Sequence, residues 1–156
     1  MINYERIRGN LVRQQKGMEL LLELLEEEFS LLQKNNTEDV VALEFSIHEL
    51  LRQLADERMD IKNIMQATRI GEYAELLEEE RCAEIKNILK FIDLAEQKSA
   101  RQASHNTRLS LALLDQSQSL LEYLHDQVAP KAEVVYGRNG GFRSQRGGPS
   151  LLSGRA

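Results

Sequence analysis

Leu32-Gln33-Lys34-Asn35-Asn36-Thr37-Glu38-Asp39-Val40 is the stretch that decides the fold. Asn35, Asn36 and Thr37 interrupt an otherwise helical pattern. Asparagine tolerates the left-handed backbone found at helix ends, and Thr37 is a favourable N-cap. Glu38 and Asp39 then fall in a first helical turn, where the helix dipole favours negative charge. A turn this short makes the two flanking helices antiparallel neighbours. Upstream, a helix is expected from about Asn3, a good cap, to Lys34. Its apolar seam is Ile7, Leu11, Met18, Leu21, Leu25 and Leu32, at spacings of three and four, with Gln14 and Glu28 filling the gaps and Leu22 and Phe29 widening the stripe. That is a helix period and not a strand period. Downstream, a second helix carries Val40, Leu43, Ile47, Leu50, Leu54, Ile61 and Ile64 or Met65, with Gly71 as its expected end.

After Gly71 the seam slips phase through Tyr73, Leu76 and Leu77, which predicts a short helical piece with a bend. A third helix is expected from about Arg81 to Gln127. At 1.5 Å per residue it spans roughly 70 Å against roughly 45–50 Å for each of the first two, so it either overhangs them or bends over them. Its seam has three zones: apolar Ile85, Ile88, Ile92 and Ala95; polar Ser99, Gln102 and Asn106; then apolar Leu109, Leu113, Leu120 and Tyr123, with Gln116 inside. A polar waist lowers local packing stability, and the last zone reads as an apolar patch without a partner in this chain. Pro130 closes the helix.

Composition divides the chain at the same place. Both prolines and six of the nine glycines of this 156-residue sequence follow residue 129. Residues 130–156 hold five cations and one anion, a net +4. The whole chain is −5, so residues 1–129 carry −9. The expected organisation is a helical bundle over 1–129 and a flexible, Gly-rich basic tail over 130–156, too poor in apolar residues to offset ordering entropy. The fold class is all-α: an antiparallel hairpin plus a long third helix, a three-helix coiled-coil-like bundle. An aromatic share of 5% without tryptophan fits narrow Leu/Ile seams better than a β-sandwich core. An acidic body repels nucleic acid and anionic membrane. No run is long and apolar enough to span a membrane, and the first residues lack a signal-peptide layout. Cytoplasmic residence is the expectation.

The chemistry-bearing residues form no catalytic set. Glu122 and His125 have the Glu-x-x-His spacing of di-iron bundles, but the sequence lacks the second copy such a site needs. His105 sits in Ser104-His105-Asn106-Thr107-Arg108, without the Lys-Gly that follows a phosphorelay histidine. Cys82 is the single cysteine, so it forms no internal disulfide or Cys-cluster metal site. Its neighbours Glu79, Glu80 and Glu84 disfavour a thiolate. Tyr136-Gly137-Arg138-Asn139-Gly140-Gly141 follows no strand pattern and lacks a phosphate loop's ending. The expectation is no catalysis, no metal and no cofactor. A helical interaction protein remains, and a self-associating coiled-coil adaptor is one such reading.

The order of features resembles the FlgN family of flagellar export chaperones. A Leu-rich first helix, an antiparallel second helix and a glycine break precede a long third helix with His105-Asn106-Thr107-Arg108-Leu109. A proline follows, then Tyr136-Gly137-x-x-Gly140 and a short small-residue basic end from Gly148 to Ala156. The layout matches over nearly the whole chain. Individual residues match at Asn106, Leu109, Leu113, Tyr136, Gly137, Gly140 and from Ser150 to Ala156. Thr107 stands where the family usually has glycine. The resemblance implies an ATP-independent cytoplasmic chaperone without cofactor. It implies as clients the flagellar hook–filament junction proteins, bound through C-terminal helices, kept unpolymerised and handed to the flagellar type III export gate. Asn106, Leu109, Leu113, Leu120, Tyr123, Leu124 and Tyr136 are the candidate partner-binding residues, in a monomer or weak dimer.

Overall fold

The structure, a computed structural model, describes residues 3–128, 134–136 and 142–144. It holds helices α1 (Tyr4–Gln33), α2 (Thr37–Met65), α3 (Ile70–Glu75) and α4 (Glu79–Val128), and strands β1 (Val134–Tyr136) and β2 (Phe142–Ser144). The chain divides into two compact units, Met1–Ser110 and Leu111–Ala156.

In the first unit the helix ends follow local chemistry. Asn3 caps α1 as expected, its side-chain oxygen accepting from the amides of Glu5 and Arg6 at 3.0 and 3.4 Å. At the turn, Asn35 takes φ 55°. The cap of α2 is Asn36, not Thr37, which is the first helical residue. Asn36 serves because its amide does two jobs: the oxygen accepts from the Asp39 amide at 3.3 Å and the nitrogen donates to the Asp39 carboxylate at 2.6 Å. The second helix also ends earlier than expected. Gln66 reverses the chain with φ 51°, ψ −109°, and Gly71 lies inside α3. Nothing lies within 4 Å of where a Gly71 Cβ would sit, so neither space nor backbone sign demands glycine there.

Cross-helix contacts fix the directions. Arg6 meets Asp60 and Asn10 meets Glu57, so α2 runs antiparallel to α1. Tyr4 and Arg8 meet Glu84 while Glu28 meets Asn106, so α4 runs parallel to α1. The result is an up-down-up three-helix bundle, with α3 in the α2–α4 connection. Its core is the predicted seam: Ile7, Leu11, Met18, Leu21 and Leu25 of α1; Ile47, Leu50, Leu54, Ile61 and Met65 of α2; Ile85, Ile88, Ile92 and Ala95 of α4. Tyr73 and Ala74 of α3 join it. Gly17 sets a close approach of α1 and α2, since a Cβ there would stand 2.7 Å from Leu54 Cδ2.

Polar side chains also enter this core. Asn10 is fully buried; its Nδ2 donates to the Glu57 carbonyl at 2.9 Å and to the Glu57 carboxylate at 2.6 Å. Gln14, one turn on, donates to Asn10 Oδ1 at 2.6 Å. Arg13 grips the same Glu57 with the Nε–Nη2 edge of its guanidinium, at 2.6 and 3.0 Å. At the base, the Tyr4 hydroxyl donates to Glu84 at 2.5 Å beneath the Arg81 guanidinium, 4.8 Å from the ring centroid. Burial, and then the hydrogen bond to that carboxylate, push the Tyr4 phenol up to about 12.

In the second unit, α4 continues from Leu111 to Val128. β1 and β2 pair antiparallel, Val134 opposite Ser144 and Tyr136 opposite Phe142. The sequence reading placed no regular structure in this segment. Val134-Val135-Tyr136 is a β-branched and aromatic run, with a Gly/Asn-containing stretch between it and Phe142, a signal outweighed there by glycine content. The rest of the segment read as a flexible tail lies outside the described residues. Among the described residues, no helix is long and apolar enough to cross a membrane.

Candidate functional site

The polar waist of α4 is the last layer of the first unit. Asn106 is 3% exposed. Its Nδ2 donates to the Leu25 carbonyl and to Glu28 Oε2, both at 2.8 Å, and its Oδ1 accepts from Gln102 at 3.0 Å. This repeats the Asn10–Gln14–Glu57 arrangement with helix identities changed: a buried asparagine ties one helix to a carbonyl and a carboxylate of its neighbour, and a glutamine one turn away fills the asparagine oxygen. Glu28 is buried, and burial, then a hydrogen bond with Glu44 of α2, push its carboxyl up to about 7. A protonated Glu28 can donate to Glu44, which also lies 3.4 Å from His48. Three helices thus meet at one polar layer.

Below it, a groove of about 360 Å³ runs between α1, α2 and α4, lined by Met18, Leu21, Ile47, Leu54 and Ala103 and bordered by the Arg58–Glu96 ion pair at 3.2 Å. The buried Ser99 hydroxyl lines it without a hydrogen-bond partner.

Beyond Asn106 the burial pattern changes. Leu109 and Leu113 are half-buried, while Leu120, Tyr123 and Leu124 are 57%, 60% and 46% exposed. Leu111, Leu114, Leu121 and Val128 are exposed too. Large apolar side chains clustered in water mark an interaction surface, whereas scattered ones do not. Of the seven predicted partner residues, the helix presents Leu120, Tyr123 and Leu124 to solvent and Leu109 and Leu113 in part. Asn106 is occupied inside the first unit. Tyr136 lies on β1 in the second unit. Sequence reasoning had not picked out Leu114, Leu121 and Val128, which lie off the seam. Their only signal was that they are leucine and valine where a solvated helix face should be polar.

His105 and Glu122 are exposed and Cys82 is half-buried. Among the described residues, no group of three or more His, Cys, Asp or Glu side chains could hold a metal ion.

A family model, FlgN protein, matches residues 1–144. The chain belongs to the FlgN family. No curated protein and no solved structure matches it. FlgN proteins are flagellar export chaperones that bind flagellar hook-associated proteins.

Proposed function

We propose that this FlgN chain binds the C-terminal helices of hook–filament junction proteins along α4 from Leu109 to Leu124, keeps them from polymerising in the cytoplasm, and delivers them to the flagellar type III export gate. The observation that carries this reading is the exposure of Leu120, Tyr123 and Leu124 together on one helix of a family chaperone. A client helix laying its apolar face there is helix-in-groove recognition. Asn106 acts as a positioning residue, holding the helix that presents the face, and Tyr136 reaches client or gate from the segment that follows. The chain works as a monomer or weak dimer, without cofactor or catalysis.

The test is calorimetric titration of the full chain with the C-terminal segment of a junction protein, beside the Leu113→Asp/Leu120→Asp variant. Saturable 1:1 heat that the variant loses supports role and site. Binding that survives in the variant moves the site elsewhere. Absence of binding by a folded sample, with a stable oligomer in sedimentation, favours the self-associating adaptor.

A further inference from the structure

The exposed length of α4 is apolar over more of its circumference than one partner helix covers. At ~100° per residue, Tyr123, Leu120, Leu113, Leu124, Leu121 and Leu114 follow one another around an arc of about 180°. A helix facing a single core shows a stripe of roughly 100°, and a two-stranded coiled-coil seam is narrower still. An arc this wide is what a helix shows when two helices pack against it. Gln116 and Ser117 interrupt the arc, and a polar residue within a seam fixes register while lowering affinity.

The rest of the circumference is acidic. Asp115, Glu122 and Asp126 are exposed and share a strip roughly 40° wide opposite the arc, with Leu111 beside them. With two helices centred on the two halves of the arc, these three acids stand more than about 100° from either centre, behind both seams, and give the segment a negative field that favours a cationic partner. The sequence has no lysine or arginine between Arg108 and Lys131. A second copy of this helix would set acid against acid, so its own kind is the disfavoured occupant.

We infer that this face takes two amphipathic helices of one client molecule at once, each carrying net positive charge. The inference rests on the reading of the face as the client site. It adds the number of helices bound and their charge.

The experiment uses the full chain with a photo-crosslinking amino acid replacing Tyr123 or Leu114, at opposite edges of the arc, and a full-length junction protein as client. Both positions should crosslink to client in a 1:1 complex, and the crosslinked peptides should map to two different helical segments. Crosslinks from one edge only, or from both edges to one segment, overturn the two-helix inference while leaving the client site intact. Crosslinks to a second copy of this chain, or none from either edge although titration shows binding, overturn both readings. In parallel, Asp115→Lys/Glu122→Lys/Asp126→Lys should weaken client binding at least tenfold at low salt and remove most of its salt dependence. Unchanged affinity overturns the charge assignment.

Discussion

Asn106 and Glu28 show how two side chains decide the behaviour of a layer. Removing the amide leaves a buried carboxyl with one partner fewer, and such losses cost about 1–3 kcal/mol. Asn106→Ala should therefore unfold at lower urea concentration, by about that amount, with Asn10→Ala showing a similar loss at the other clamp. Glu28 gives a pH signature. Its folded pKa of about 7 lies above the ordinary 4.5, so the folded state holds the proton more tightly than the unfolded chain does. This group's contribution is complete below about pH 4.5 and is lost as pH rises through about 7, on the order of 3 kcal/mol. Glu28→Gln keeps an acceptor for Asn106 and has no charge to bury. Urea melts of this variant from pH 4.5 to 8 should show that component of the slope gone and higher stability at pH 8. Glu28, Gln14 and Asn106 were legible in the sequence as polar residues sitting in apolar seams. Asn10 was not. It stands beside Leu11, off the single seam, and is buried because α1 faces two helices and so has a wider inner face than one seam describes.

Among the elements, the boundary that sequence misplaced is the informative one. Gly71 carries the residue type expected at a helix end, yet Gln66 takes the positive φ. A side chain in that sparsely populated backbone region is strained by roughly 1–3 kcal/mol. Gln66→Gly should therefore stabilise the chain by about 1 kcal/mol, read as a rise in thermal midpoint. Gly17 makes the opposite case. Inside α1 a glycine weakens the helix by about 1 kcal/mol relative to alanine, but it permits the contact with Leu54. Gly17→Ile should cost about 1–3 kcal/mol through overpacking, measured by denaturant unfolding. Helix existence and direction were readable because the three-four spacing and the Asn35–Asn36 turn point the same way. The α2 cap shifted by one residue because neighbouring Asn and Thr both suit the position.

For the molecule as a whole, the division of labour follows charge and burial. A buried, clamped bundle and an exposed apolar helix face are carried by the same α4. The exposed positions Leu120, Tyr123 and Leu124 were readable as the end of a seam with nothing left to pair with. Leu114 and Leu121 were not, since a seam analysis looks along one line and misses breadth around the helix. An environment-sensitive apolar dye should bind the free chain, and Leu113→Asp/Leu120→Asp should lower that signal severalfold without changing helix content by circular dichroism. The absence of lysine and arginine along the exposed face also governs how proteases meet the chain. Trypsin has no site within it and releases residues 109–131 as one peptide, so tryptic footprinting is blind to client protection there. An enzyme that cuts after leucine and tyrosine finds its sites crowded on that stretch, which makes chymotrypsin the sensitive reporter of occupancy and an empty chaperone the more readily digested one.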